Sequence, residues 1–165
     1  MKEKIRLIIT GGTFDKEYDE LQGNLTFKDS HITEILKHVR ITIPVTVEIC
    51  QMKDSLYMDD TDRQYILNSC KSSEQDKIII IHGTDTMPLT AEILGKGNLV
   101  KTIILTGAMV PYSIRNSDAM FNLGAAVSAV QLLESGVHIS MNGTVFKWDN
   151  VRKNTQLGVF EKLNP

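Results

Sequence analysis

A chain of 165 residues, 42% apolar and 23% charged, has the size and composition of one compact domain, expected over 1–165, that buries a core without metals or disulfides. A formal charge of −2 with scattered Lys and Arg excludes the basic stripe of a nucleic-acid binder, and the apolar stretch Ile5 to Ile9 behind Met1-Lys2-Glu3-Lys4 is too short for a signal-peptide core or a membrane span. Cys50 and Cys70 read as buried free thiols, so the expected location is the reducing cytoplasm, with no membrane partner.

Five short runs rich in β-branched residues punctuate the chain: Ile5–Ile9, Val45–Ile49, Ile78–Ile81, Thr102–Leu105 and Val137–Met141. Apolar on both sides, they predict strands covered by helices on two faces, the pattern of a parallel sheet. Helix signals lie between them. Ile32, Ile35, Leu36 and Val39 recur at helical spacing behind the candidate caps Asp29 and Ser30. Thr61 with Gln64 reads as a capping box ahead of Tyr65, Ile66, Leu67 and Cys70. A third helix begins near Thr86, with Pro88 in its first turn and Gly95 or Gly97 as its stop. A fourth runs from about Ser117 to Glu134, turning Met120, Leu123, Val127, Val130 and Leu133 inward, with Gly136 past its end. The predicted fold is therefore α/β, a doubly wound and mostly parallel sheet with helices on both faces. After the fifth strand, Asn142-Gly143 between β-forming residues signals a β-hairpin near the C-terminus.

In such a sheet, ligands bind at the carboxyl ends of the strands. The loops there are Thr10-Gly11-Gly12-Thr13, Lys53-Asp54-Ser55, His82-Gly83-Thr84-Asp85-Thr86 and Thr106-Gly107-Ala108-Met109. One at a time these are ordinary turn and cap residues; as a set they gather hydroxyls, glycines and a carboxylate on one edge. Gly11-Gly12-Thr13 lacks the third glycine of a dinucleotide fingerprint, and no P-loop spacing occurs. The histidines at 31, 38, 82 and 138 have no metal-ligand spacing, so no metal and no cofactor is expected, and His82 reads as a structural histidine.

The sequences Thr10-Gly11-Gly12-Thr13, His82-Gly83-Thr84-Asp85-Thr86-Met87, and Thr106-Gly107-Ala108-Met109 with Asn122-Leu123 resemble the signatures of bacterial-type L-asparaginases, in order and in spacing. The likeness covers essentially the whole chain but only the amino-terminal, Rossmann-like catalytic domain of the usual two-domain enzyme, and is closer still to short single-domain bacterial members. It implies hydrolysis of a side-chain amide, that of asparagine or a related small amide, to a carboxylate and ammonia. Thr13 matches the threonine usually taken as nucleophile, and Thr84 and Asp85 match the second threonine and its neighbouring aspartate. Lys153, in Val151-Arg152-Lys153-Asn154, matches the catalytic lysine, and Tyr18 is the candidate helper tyrosine. Ser55, three residues before Met58, matches the serine that contacts the substrate carboxylate, and Gly12, Gly83 and Ala108 complete the implied substrate-binding set.

The chemistry agrees with these assignments. Amide hydrolysis needs a nucleophile, a proton acceptor and donors for the oxyanion. A lysine accepts a proton once burial makes its neutral form accessible, so Lys153 desolvated beside Thr84 would serve, with backbone N–H groups near Thr84 and Ala108 polarising the carbonyl. In the two-domain enzymes the carboxyl-terminal domain of a neighbouring subunit finishes the site, so a homodimer or higher homo-oligomer is expected here. Two alternatives stand beside the enzyme: an amino-acid-binding module without turnover, and an ammonia-supplying or regulatory subunit of an amidotransferase.

Overall fold

The computed structural model describes residues 4–164; the Met1-Lys2-Glu3 lead-in lies outside the described residues. Five strands coincide with the five apolar runs: β1 (Ile5–Gly11), β4 (Val45–Lys53), β5 (Lys77–Ile81), β6 (Thr102–Thr106) and β7 (Gly136–Met141). All are parallel, and β8 (Thr144–Lys147) adds to β7 antiparallel, giving one six-stranded sheet in the order β4-β1-β5-β6-β7-β8. The β7–β8 connection is the two-residue turn Asn142-Gly143, with φ of 54° and 75°, the left-handed geometry that matches strand twist and favours Asn-Gly.

Helices cover both faces because successive strand residues point to opposite sides. Ile8, Ile78, Ile80, Ile103 and Leu105 pack against α2 (Asp60–Ser72) and α3 (Met87–Lys96). Ile5, Leu7, Ile9, Ile79, Ile81 and Ile104 pack against α1 (Ile32–His38) and α4 (Ala119–Leu132). The sandwich is thus doubly wound, and the strand order reverses between β1 and β5, which opens a crevice at their carboxyl ends. No helix among the described residues is long and apolar enough to cross a membrane.

The helix starts differ in detail from the sequence reading. The capping box of α2 is made by Asp59 and Asp62, not by Thr61 and Gln64, because the helix begins two residues earlier and takes Thr61 inside it. At α1 the residue before the helix is His31; Ser30 Oγ accepts the Ile32 N–H at 3.3 Å, and Asp29 plays no capping part. Gly97, not Gly95, terminates α3. Two small antiparallel ribbons stand outside the main sheet: β2 (Lys16–Asp19) with β3 (Asn24–Phe27), and β9 (Arg152–Asn154) with β10 (Val159–Glu161). The first begins three residues after Thr13, and the second carries Lys153.

Candidate active site

Two glycines bring the loops together. An added Cβ at Gly12, which has φ +80°, would fall 2.4 Å from the Gly83 Cα and N, and one at Gly83 would fall 2.5 Å from Ser55 Oγ. The loops after β1, β5 and β4 are therefore stacked in direct backbone contact, and only residues without a side chain fit at the two crossing points. Thr13 and Thr84, the residues that follow these glycines, are consequently carried on adjoining loops at the β1/β5 crevice.

Lys153 enters from the β9–β10 ribbon. Its Nζ donates to Thr84 Oγ1 at 2.8 Å and to Asp85 Oδ1 at 2.6 Å, with its side chain only 9% exposed and that of Asp85 41% exposed. Thr84 is 4% exposed, and its hydroxyl also lies 3.6 Å from Met109 Sδ. A hydroxyl and a carboxylate on neighbouring residues and an amine 68 to 69 residues further along the chain thus form one bonded group. Thr13 opens a short 3₁₀ turn, Thr13–Asp15, and is partly exposed; among the described residues its hydroxyl makes no hydrogen bond. The turn is pinned from below by Asp15, fully buried, which accepts from Ser30 Oγ and the His31 N–H, each at 2.9 Å. Burial pushes the Asp15 carboxyl above its ordinary value, against these two bonds and the nearby His31.

The other hydroxyls of the same loops are committed to the scaffold. Thr10 Oγ1 donates to the Ile81 carbonyl and Thr106 Oγ1 to the Ser140 carbonyl, both at 2.8 Å. Ser55, 1% exposed, accepts the Thr86 N–H on Oγ at 3.3 Å, while its carbonyl accepts Thr86 Oγ1 at 2.8 Å. Behind them Arg63, buried, donates to Thr86 Oγ1 at 3.2 Å and to the Met58 carbonyl at 3.0 Å. This network ties the Asp54-Ser55 loop to the start of α3.

His82 is a structural residue of the same platform. Its Nδ1 lies 2.8 Å from the Gly83 carbonyl and its Nε2 2.8 Å from Thr90 Oγ1. A carbonyl only accepts, so Nδ1 carries the proton and Nε2 takes the threonine hydrogen. Burial, aided by the charge of Arg63 and opposed by the Gly83 bond, lowers the imidazole to about 4.

Around the crevice, Lys16 Nζ pairs with Asp54, linking the Thr13 turn to the loop after β4. Burial pushes the Asp54 carboxyl up, but Lys16, the Leu56 N–H and the charge of Lys153 together hold it below the usual carboxylate range. Backbone donors are available as well: among the described residues neither the Thr84 nor the Ala108 N–H makes a hydrogen bond. Tyr18 is placed otherwise. It sits in β2 opposite Leu25, 61% exposed, and its hydroxyl makes no hydrogen bond among the described residues. Lys16 and Arg63 escaped sequence reasoning, and Asp54 and Met109 were named only as members of their loops, without a role; the Asp54-to-Leu56 turn pattern offered a local signal. No group of three or more His, Cys, Asp or Glu side chains able to hold a metal occurs among the described residues.

The family model described as Asparaginase, N-terminal, matches residues 4–163. The chain is 30% identical over 131 residues to L-asparaginase 1 of Escherichia coli (strain K12), covering 74% of this chain and 38% of that protein. The thermostable L-asparaginase from Thermococcus kodakarensis superposes with a TM-score of 0.87 at 26% identity, covering 98% of this chain and 52% of that one. A structure described as a probable cytoplasmic L-asparaginase from Campylobacter jejuni superposes at 0.85 with 26% identity, covering 99% and 54%. The chain spans about half the length of these solved relatives, and 38% of the curated one.

Proposed function

The chain belongs to the asparaginase family, matching its amino-terminal domain, and from that premise we propose that it hydrolyses the side-chain amide of L-asparagine or a related small amide, releasing ammonia through a threonine nucleophile. The observation that carries this reading is the bonded group of Lys153, Thr84 and Asp85 at the β1/β5 crevice. Binding alone does not call for an amine held behind a hydroxyl.

Of the two threonines, Thr13 is the better attacker and Thr84 the better proton carrier. Thr13 is partly exposed with an uncommitted hydroxyl, whereas Thr84 is buried and already bonded to Lys153. In the proposed reaction Lys153 acts in its neutral form: Thr13 Oγ1 adds to the amide carbon, and its proton passes through the Thr84 hydroxyl to the Lys153 amine. Asp85 balances the ammonium that results, while the N–H groups of Thr84 and Ala108 donate to the oxyanion. Collapse breaks the C–N bond, and the proton held on Lys153 leaves with the nitrogen as ammonia. Water then adds to the Thr13 ester by the same relay, releasing the carboxylic acid and restoring the hydroxyl. Gly12, Gly83 and Ser55 shape the substrate's side of the crevice, and Tyr18 reaches it only if the β2–β3 ribbon folds inward.

In this reading the single domain over 1–165 is the catalytic unit. A second copy in a homodimer or larger homo-oligomer covers the partly exposed Thr13, and no cofactor takes part. The setting is cytoplasmic, in keeping with the unpaired thiols Cys50 and Cys70. The test is ammonia release from asparagine, glutamine and other small amides by the intact chain and by Thr13→Ala and Thr84→Val, with sedimentation run alongside. Turnover that survives both substitutions overturns the mechanism; retained ligand binding without turnover identifies a binding module instead.

A further inference from the structure

Lys153 is delivered by a ribbon that belongs to neither the main sheet nor a helix, so something else must fix its register. Phe160 and Val151 of this segment are buried in the core. Apolar burial is non-directional; it holds the ribbon down without choosing where along the surface it sits. The directional contact is a hydrogen bond of 2.8 Å from the Phe160 N–H to Asn142 Oδ1. Phe160 stands directly opposite Lys153 in the ribbon, so the placement of one sets the placement of the other.

Asn142 is itself held. Its N–H donates to Asn122 Oδ1 at 3.2 Å, and Asn122, buried in α4, donates from Nδ2 to the Gly107 carbonyl and to Asp118 Oδ2, each at 3.0 Å. Asp118 in turn accepts the N–H groups of Met109 and Val110 at 2.9 to 3.0 Å. Because Met109 Sδ touches Thr84 Oγ1, the contacts close into a ring that starts at Thr84, passes through Met109, Asp118, Asn122, Asn142 and Phe160, and returns through Lys153.

We propose that Asn142 is a positioning residue for Lys153, acting through Phe160; this rests on the proposed amide hydrolysis only for its kinetic consequence. As turn chemistry, Asn142-Gly143 needs a residue tolerant of φ 54°, which glycine satisfies equally. The carboxamide oxygen on the Phe160 N–H is what glycine lacks. Asn142→Gly therefore keeps the turn and removes the register bond, whereas Asn142→Asp keeps both the turn preference and an acceptor.

Three measurements test this. In ammonia release, Asn142→Gly lowers kcat about 10- to 100-fold with KM nearly unchanged, the size of effect expected when a reacting group is misplaced by about 1 Å; Asn142→Asp restores kcat. In acetic anhydride labelling read by peptide mass spectrometry, Lys153 labels at least about fivefold faster in Asn142→Gly than in the unsubstituted chain, relative to exposed Lys71, and returns to the slow rate in Asn142→Asp. In hydrogen exchange of the unsubstituted chain, the Phe160 amide is protected. An unprotected Phe160 amide, or Lys153 labelling that does not respond to Asn142→Gly, overturns the proposal. If the unsubstituted chain releases no ammonia, the functional reading fails by itself, and labelling and exchange still decide the role of Asn142.

Discussion

Lys153 Nζ lies 2.8 Å from Thr84 Oγ1 across 69 residues of sequence, and the lysine reaches that position from outside the sheet that carries the threonine. Sheet and ribbon therefore contribute separate halves of one bonded group. Replacing the lysine tests the chemical half without touching the sheet. Lys153→Met, similar in length and without a proton acceptor, is expected to lower kcat by at least about 100-fold, the usual scale for losing a general base. Asp85, already 41% exposed, is solvated once its partner is gone, so the melting temperature should move little. Ammonia release and thermal unfolding measured on the same preparation check both statements.

Gly12→Ala is expected to damage stability and activity together. The methyl group would fall 2.4 Å from the Gly83 backbone at a φ of +80°, so the loops after β1 and β5 must part. A cost of at least about 2 kcal/mol follows from backbone strain plus overpacking. Urea denaturation measures it, and a stability equal to that of the unsubstituted chain would remove the close approach from the account.

Ser55→Ala separates two roles of one hydroxyl. Loss of the bond to the Thr86 N–H lowers stability by about 1 kcal/mol. If the same oxygen contacts substrate, KM rises while kcat changes less. Steady-state kinetics decides, and an unchanged KM leaves Ser55 as a tie between the β4 loop and α3 alone.

His82 makes stability depend on pH. Its folded value of about 4 lies below the ordinary 6.5, so protons bind preferentially to the unfolded chain. The contribution is fully present above about pH 6.5 and is lost as pH falls through that value toward 4. The total is on the order of 3 kcal/mol. Asp15, whose carboxyl is raised, acts in the opposite sense above its ordinary 3.8, so the clean measurement is the difference between the chain and His82→Gln across this window. Equal slopes would refute the assignment.

The two thiols should be inert in the folded protein. Burial pushes Cys50 and Cys70 up to about 12, where little thiolate exists at neutral pH. Iodoacetamide at pH 7.5 is expected to label both only after denaturation; rapid labelling of the native chain would contradict this.

The sheet was legible because Ile5–Ile9, Ile78–Ile81 and Thr102–Leu105 are apolar on both sides, which only strands buried on two faces require. The β7–β8 hairpin was legible from Asn142-Gly143, whose backbone demand is local. The small ribbons were not, since three- or four-residue strands such as Arg152–Asn154 carry no run of alternating residues long enough to register. Nor could sequence sort the loop hydroxyls. Thr10, Thr86 and Thr106 look no different from Thr13 and Thr84 until the carbonyls of Ile81, Ser55 and Ser140 are seen to accept from the first three. Tyr18 illustrates the same boundary: the family resemblance made it the candidate helper tyrosine, and in the β2–β3 ribbon it is 61% exposed.

Three residues of β9 paired with three of β10 make a fragile lever for so demanding a contact, while the platform it presses on is a six-stranded sheet with helices on both faces. Gentle heating should therefore release the lever before the platform melts, so that inactivation on warming sets in below the unfolding transition and reverses on cooling.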